Sequence, residues 1–149
     1  MNPPPRISKR ARSAARRALV QALYQWQLSG NDPRDILGEF LEERDLRKAD
    51  KDYFRQLLLG ITAEVEILQG HFSAYLDRPV EELDPVERAI LLLGVYELLH
   101  RPEVPWRVVI NESIELAKLY GAEQAHKYIN GILDRAARPL RPHEQASCG

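Results

Sequence analysis

The 149-residue chain has few of the residues that build disulfide frameworks, metal centres and membrane spans. Its single cysteine, Cys148, excludes a disulfide or a thiolate metal site within one chain. The four histidines never lie three or four residues apart, which excludes the usual helical metal-ligand spacing. The longest apolar run, residues 89–96, is too short to cross a bilayer. We therefore expect a cytoplasmic protein without a cofactor, a metal or a membrane segment.

Acidic residues are missing from the first seventeen positions, and basic residues are concentrated there. The six basic residues of this segment are Arg6, Lys9, Arg10, Arg12, Arg16 and Arg17. The rest of the chain carries 15 Lys and Arg against 22 Asp and Glu, a net charge of −7. A block of one sign is typical of a protein that binds a polyanion, usually nucleic acid, whereas a merely solvated helix face would mix both signs.

A helix from about residue 8 to 24 would gather these cations on one face. At about 100° per residue, Lys9, Arg12 and Arg16 form a stripe, and Arg10 and Arg17 lie beside it. Alanines occupy the opposite face, where the helix would pack. Arg6 follows three prolines, in a segment that we expect to be extended and mobile. The stripe predicts contacts with phosphates.

The remaining sequence predicts a succession of helices, about seven in all, without convincing strand alternation. Asp32-Pro33 and Asp84-Pro85 each place an N-cap before a proline at the first helical position. The apolar helix after Asp84 should be central, and Gly131 should permit close helix approach. We expect one all-α domain over 1–149, with an N-terminal half at about 8–76, a C-terminal half at about 79–138 and flexible ends at 1–7 and 140–149.

No motif of an enzyme is present. The sequence contains no His-Glu-x-x-His, no P-loop, no Gly-x-Gly-x-x-Gly and no Gly-x-Ser-x-Gly. Glu97, Glu112 and Glu115 could supply a carboxylate pair, but their apolar neighbours favour structural hydrogen bonds or an ion pair in a helical core. We therefore expect a protein that is not an enzyme.

Tyr128 differs from the other aromatic residues, most of which should lie in the core. It follows Lys127, so a basic donor and a ring able to stack on a base adjoin. The alternative is that Tyr128 is itself a core residue, because Ile129 is next to it and Ile132 lies one turn further on.

Several blocks, taken in chain order, resemble the NusB family of bacterial antitermination factors. They are RARSAARRALVQALYQWQ at 10–27, LDPVERAIL at 83–91, YEL at 96–98, a segment from Val104-Pro105 through VINESIELAK at 109–118, and HKYINGILD at 126–134. The resemblance covers about residues 10–137. It implies an all-α fold of two small helical bundles packed together.

The resemblance also implies a function without catalysis. Members join the small-subunit ribosomal protein known as NusE and bind single-stranded boxA RNA in nascent leaders, notably of ribosomal RNA operons. The complex helps RNA polymerase to read through terminators. Related helical domains also occur fused to RNA methyltransferases, but we do not expect an enzyme of that kind, because this chain has no glycine-rich cofactor-binding region. Whether the chain is a monomer or a homodimer stays open.

Residue roles follow from the same resemblance. The basic block from Arg6 to Arg17 matches the family's arginine-rich RNA-binding start. Lys127 and Tyr128 match a lysine–aromatic pair at the RNA surface, with Gln124 one turn earlier.

Two further positions, Tyr24 and Glu87, match residues that face NusE. The chain departs from the family at Gln124, where some members have Asp, and at Leu92, where many have Arg, so one polar contact should be missing. A protein-interaction scaffold with no direct RNA role is the alternative, since the net −7 of the remainder could meet a basic ribosomal protein.

Overall fold

The computed structural model describes residues 8–146 and contains, in that range, eight α-helices and two short 3-10 turns but no strand. The α-helices are α1 (Lys9–Ser29), α2 (Pro33–Glu43), α3 (Lys51–Ala63), α4 (Val65–Gly70), α5 (Pro85–His100), α6 (Trp106–Tyr120), α7 (Ala125–Leu140) and α8 (Pro142–Ala146). The 3-10 turns are Ser73–Tyr75 and Val80–Glu82. The all-α prediction is confirmed.

Side-chain caps set the helix starts where the sequence predicted them. Ser8 accepts a hydrogen bond from the backbone N–H of Ala11, and Asp84 accepts one from that of Val86. Asp32 and Asp50 cap α2 and α3 in the same way. Gly30 ends α1 with φ of 69°, a left-handed conformation that glycine adopts without steric cost.

Two three-helix groups share one hydrophobic core. Helices α1, α2 and α3 pack on one another, α5, α6 and α7 do the same, and α1 and α3 lie against α5. Helix α5 is buried nearly all round, as predicted for the helix after Asp84. No helix in the described part of the chain is long and apolar enough to cross a membrane.

Close helix approach occurs at two glycines other than the predicted one. A Cβ added to Gly60 would clash with the Tyr96 hydroxyl, and one added to Gly94 would lie 3.0 Å from Leu133. Gly131 is exposed and would meet nothing within 4 Å, so its predicted packing role is wrong. The sequence pattern identified the helix but not the side of it that faces solvent.

The C-terminal end, predicted to be flexible from residue 140, is helical through Ala146, and its flexibility stays a prediction. Helix α7 continues through Pro139 to Leu140, and α8 follows. Arg141 is buried between them and donates to the carbonyl oxygens of Leu98, Glu97 and Arg101 at 2.7, 3.1 and 3.0 Å. These bonds fix the chain end against α5. Residues 1–7 and 147–149 lie outside the described range, and the domain boundaries stay a prediction.

Candidate nucleic-acid interface

The predicted basic stripe on α1 is divided between the protein interior and its surface. Arg12 and Arg16 are only 8% and 3% exposed, whereas Lys9, Arg10 and Arg17 are exposed. The prediction that Arg12 and Arg16 form a solvent-facing stripe is therefore wrong. Acidic side chains from α5, α6 and the loop between them draw these two arginines inward. Arg6 lies outside the described residues.

Glu97 on α5 is the main partner of Arg16. The Arg16 guanidinium donates from Nη2 at 2.8 Å to one carboxylate oxygen and from Nε at 3.0 Å to the other. The Tyr53 hydroxyl of α3 also donates to Glu97. Burial alone would lower the pKa of Arg16, but the hydrogen bond and charge of Glu97 raise it overall. Burial and the Glu97 charge raise the pKa of Tyr53, so its hydroxyl keeps its proton. This cluster ties α1, α3 and α5 together.

Arg12 occupies the neighbouring position on the same inward face. Its Nη2 lies 3.2 Å from Glu103, and its guanidinium lies 4.1 Å from the centre of the Tyr53 ring, a cation–π contact. Glu112 on α6 accepts a 2.7 Å hydrogen bond from the Ser13 hydroxyl and lies 3.7 Å from Arg16. The predicted structural role of Glu97 and Glu112 agrees with this geometry.

Helices α1 and α6 lie side by side in parallel. Ser13 bonds Glu112 and Gln21 bonds Tyr120, and both pairs are 99 positions apart in the chain. The start of α7, just after Tyr120, therefore lies near the C-terminal half of α1. At 1.5 Å per residue, Arg10 and the Gln21–Tyr120 level are separated by about 16 Å along the axis. The predicted RNA-binding residues thus form two groups rather than one patch.

The first group surrounds a shallow groove that includes one residue the sequence analysis missed. The groove encloses about 320 Å³ and is lined by Lys9, Arg10, Ser13, Ala14, Arg17 and Lys48. Lys48 comes from the connector between α2 and α3. It was missed because Asp45 and Asp50 flank it in the sequence, and only the fold brings it beside Arg17.

The second group lies at the start of α7. Lys127 and Gln124 are exposed, and Gln124 has φ of 72°, a left-handed conformation uncommon for a residue with a side chain. Tyr128 is half-buried against the core, and its hydroxyl donates to the Asp77 carboxylate at 2.7 Å. Arg78 lies 5.5 Å from the ring centre. Tyr128 is therefore partly packed against the core and partly exposed, which is intermediate between the two alternatives that the sequence allowed.

Charges around Tyr128 shift the pKa of their neighbours. Hydrogen bonds from Arg78 and then from Tyr128 hold the pKa of Asp77 well below its ordinary value. Burial, followed by the charge of Asp84, raises the pKa of the Glu87 carboxyl, although Arg78 acts in the opposite direction.

The two positions predicted to face NusE lie at one end of α1. Tyr24 is 41% exposed and lines a largely apolar groove of about 700 Å³, together with Leu28, Val86 and Tyr120. Glu87 follows Val86 at the start of α5 and is half-buried. Leu92, by contrast, is fully buried in the core. An exposed tyrosine beside an apolar groove is typical of a protein-binding surface.

The fold and these surfaces define an all-α protein that presents a basic groove and an apolar groove along one helix. Within residues 8–146, no group of acidic, cysteine or histidine side chains could hold a metal ion. The chain belongs to the NusB family, whose model matches residues 13–138. Because the family consists of antitermination factors without catalytic activity, the chain is not an enzyme.

Curated relatives agree along most of the chain. The transcription antitermination protein NusB of Alcanivorax borkumensis is 55% identical over 131 residues, which cover 88% of this chain and 87% of the relative. The protein of the same name from Escherichia coli K12 is 50% identical over 135 residues, covering 91% and 97%.

Solved structures share the fold. Thermotoga maritima NusB is 34% identical, with a TM-score of 0.79, and the match covers 90% of this chain and 96% of that one. A crystal structure of the antitermination factors NusB and NusE in complex with double-stranded RNA matches with a TM-score of 0.80 and 28% identity, covering 89% of this chain and 99% of that one.

Proposed function

We propose that this chain is an RNA-binding subunit of a bacterial antitermination complex and acts together with NusE. It binds the boxA element of nascent RNA, notably in ribosomal RNA leaders, and helps RNA polymerase to read through terminators. Such a factor works in the cytoplasm, where transcripts are made. Family membership carries the proposal, since relatives about half identical over nearly the whole chain are antitermination proteins.

The electrostatics of the surface support an RNA ligand. The cations that remain exposed on α1 stand on one side of the helix, beside Lys48. Phosphate contacts from such groups provide affinity that falls as salt rises, because binding releases counterions. Lys127 and Tyr128 would supply a second contact, in which a ring stacks on an unpaired base.

The apolar groove beside Tyr24 supports a protein partner on the same molecule. Its lining is mostly apolar and includes Val86. Glu87, the next residue in the chain, adds a carboxylate that a basic ribosomal protein could meet. In the related crystal structure, NusB is bound to NusE and RNA. The arrangement therefore supports a protein that holds an RNA and a protein together.

Fluorescence anisotropy tests the function directly. A labelled boxA RNA and a scrambled RNA of the same composition are titrated with the protein, with and without NusE, at two salt concentrations. We expect tighter binding of boxA when NusE is present and weaker binding of both RNAs at the higher salt. Equal affinity for the two RNAs in the presence of NusE would contradict sequence-specific binding.

A transcription assay tests the consequence of binding. RNA polymerase is run on a template with boxA upstream of a terminator, with NusE and the remaining antitermination factors supplied. Adding this protein should increase the fraction of transcripts that pass the terminator, and a mutated boxA should abolish that increase. No change in readthrough on the intact template would contradict the proposed role.

A further inference from the structure

The connector between α2 and α3 forms one wall of a groove that continues along α1. The basic groove beside Lys9 and Arg10 shares Ala14, Arg17 and Lys48 with a second groove of about 410 Å³. That second groove shares Gln21, Arg44 and Tyr120 with the apolar groove beside Tyr24. The three grooves are thus adjoining parts of one depression.

The connector is held firmly against α1. Leu46 is buried in the core, and the backbone N–H of Asp50 donates to the carbonyl oxygen of Ala11 at 2.9 Å. Lys48 lies between these two anchors and is exposed. Its ammonium group is therefore carried on a fixed backbone, which lowers the ordering cost of binding a ligand.

The cations of this groove are not neutralised by the protein. Among the described residues, no ion pair or hydrogen bond engages Lys9, Arg10, Arg17 or Lys48. The nearby carboxylate of Asp45 is occupied by Arg47, whose Nε and Nη2 lie 2.9 and 3.0 Å from its two oxygens. The charge of Lys48 interacts with the Asp45 carboxylate more weakly than the hydrogen bonds of Arg47 do. Four cations in a groove whose lining contains no acidic residue favour an anionic ligand.

We propose that Lys48 and Arg17, on opposite walls of this groove, bind phosphates of the RNA backbone and carry the strand along α1 toward Arg44. The inference rests on the proposed function and adds the α2–α3 connector to its RNA-binding surface. Arg10 and Arg17 are seven residues apart, or about 10 Å along the axis at 1.5 Å per residue. Cations spread along an axis fit a linear polyanion better than the compact charge of a small anion.

The side chains that line the groove favour RNA over an acidic protein segment. The lining of the middle part includes Arg44, Gln21 and Tyr120, so a guanidinium, an amide and an aromatic ring adjoin there. Asp45 also lines it, but its carboxylate is engaged by Arg47. Arg44 lies 4.9 Å from the Phe40 ring centre and 3.4 Å from Gln21. Single-stranded RNA offers phosphates for the cations and bases for such planar groups.

The experiment compares Lys48→Gln with Lys51→Gln in the full chain. Lys51 is also exposed, lies three residues further on and is outside the groove lining. The two variants have the same net charge. Binding of a labelled boxA RNA is measured with NusE present over 50 to 200 mM salt. Binding of NusE alone and a melting curve are recorded for each variant.

We expect Lys48→Gln to weaken RNA binding, and Lys51→Gln to leave it nearly unchanged. Losing one phosphate contact should reduce the salt slope by about 0.7, so the affinity ratio between 50 and 200 mM shrinks by about 2.6-fold. NusE binding and melting temperature should stay at their original values. Adding Arg17→Gln to Lys48→Gln should reduce the slope by a similar further amount.

Three outcomes would overturn the inference. If the unaltered protein binds boxA but Lys48→Gln and Lys51→Gln behave alike, the groove is not on the RNA path, although the proposed function stands. If Lys48→Gln weakens NusE binding and leaves RNA binding unchanged, the groove takes protein. If the unaltered protein fails to bind RNA with NusE present, the proposed function fails, and the inference fails with it.

Discussion

Arg16 and Arg17 are neighbours on one helix, yet one is inside the protein and the other is on its surface. Arg16 is 3% exposed and bound to Glu97, whereas Arg17 lines the basic groove without an acidic partner among residues 8–146. The residue type is the same, and so is the local helix. The difference comes from the facing helix, which places a buried carboxylate opposite Arg16 and none opposite Arg17.

The two arginines accordingly affect different quantities. Arg16 affects the free energy of unfolding, whereas Arg17 is available to affect the free energy of ligand binding. A buried ion pair has lost its hydration, so its net stabilisation is small, but removing one partner leaves a charge stranded in the core. Arg16 and Glu97, with Tyr53, fix how α1 sits against α3 and α5. Arg17 costs the fold little and remains free for a ligand. The basic segment therefore stabilises helix packing through its buried side and presents cations to a ligand on its exposed side.

The largest expected effect comes from removing the inner arginine. Arg16→Ala should lower the free energy of unfolding by about 3–5 kcal/mol, because Glu97 is left buried without its charge partner. Arg17→Ala should change it by less than about 0.5 kcal/mol, as an exposed substitution does. Urea unfolding of both variants measures the difference.

The control for this comparison removes both charges. Arg16→Met combined with Glu97→Gln should recover part of the lost stability, because no uncompensated charge is then buried. If Arg17→Ala destabilised the protein as much as Arg16→Ala, the division of α1 into an inner and an outer side would be wrong.

Helix boundaries were predictable because the signals for them are local. Ser8, Asp32, Asp50 and Asp84 each cap a helix through a bond to a backbone N–H two or three residues away. The end of α7 was not predictable in this way. Pro139 normally marks a helix end, but Arg141 binds carbonyl oxygens of α5 and holds the last turn in place.

The candidate site was only partly predictable, because exposure depends on distant residues. A helical projection placed the cations of α1 together on one face, but Glu97, Glu103 and Glu112 draw Arg12 and Arg16 inward. Lys48 is absent from any sequence pattern, since the fold alone brings the connector to α1. Roles for Gln124, Lys127, Tyr24 and Glu87 follow from family resemblance and stay predictions.

The next largest effect is expected on NusE affinity, at the predicted partner surface beside the apolar groove. Glu87→Lys should weaken NusE binding by at least about tenfold, roughly 1.4 kcal/mol, because it places a positive charge where a basic partner is expected. RNA binding by the isolated protein should fall much less or even rise. Calorimetric titration with NusE and anisotropy with RNA give the two affinities.

The matched control for this charge reversal is Glu66→Lys, an exposed residue of α4 that does not line the apolar groove. It should leave both affinities near their original values. A variant at Glu87 that lost RNA binding more than NusE binding would show that the partner surface lies elsewhere.

Substitutions on the exposed side of α1 should change how strongly RNA affinity depends on salt concentration. Arg10→Gln combined with Arg17→Gln should weaken boxA and scrambled RNA alike, since phosphate contacts carry no sequence information. Two lost contacts should reduce the salt slope by about 1.4. The control, Lys51→Gln with Arg135→Gln, removes the same charge from exposed positions outside the basic groove. An equal change in slope for the control would mean that only net charge matters.

The smallest effect is expected from the Tyr128 hydroxyl, which can be removed without removing the ring. Tyr128→Phe keeps the ring and removes the hydrogen bond to Asp77, so the pKa of Asp77 should rise. It should stay below the ordinary value of 3.8, because Arg78 is the larger cause of the shift. A lowered carboxyl pKa stabilises the fold above the unfolded pKa, and this stabilisation is lost as pH falls through the folded pKa. In Tyr128→Phe the loss should therefore be complete at a higher pH, and carboxyl NMR titration would show the raised pKa of Asp77.

Tyr128→Ala then tests the ring itself. If the ring stacks on a base, boxA binding should weaken by about 1–3 kcal/mol with little change in salt slope, whereas Tyr128→Phe should bind normally. If the ring serves the core instead, Tyr128→Ala should lower thermal stability by several kcal/mol, as large buried truncations do. The half-buried position leads us to expect a smaller stability loss together with weaker boxA binding. Strong destabilisation with unchanged RNA affinity would remove Tyr128 from the RNA surface.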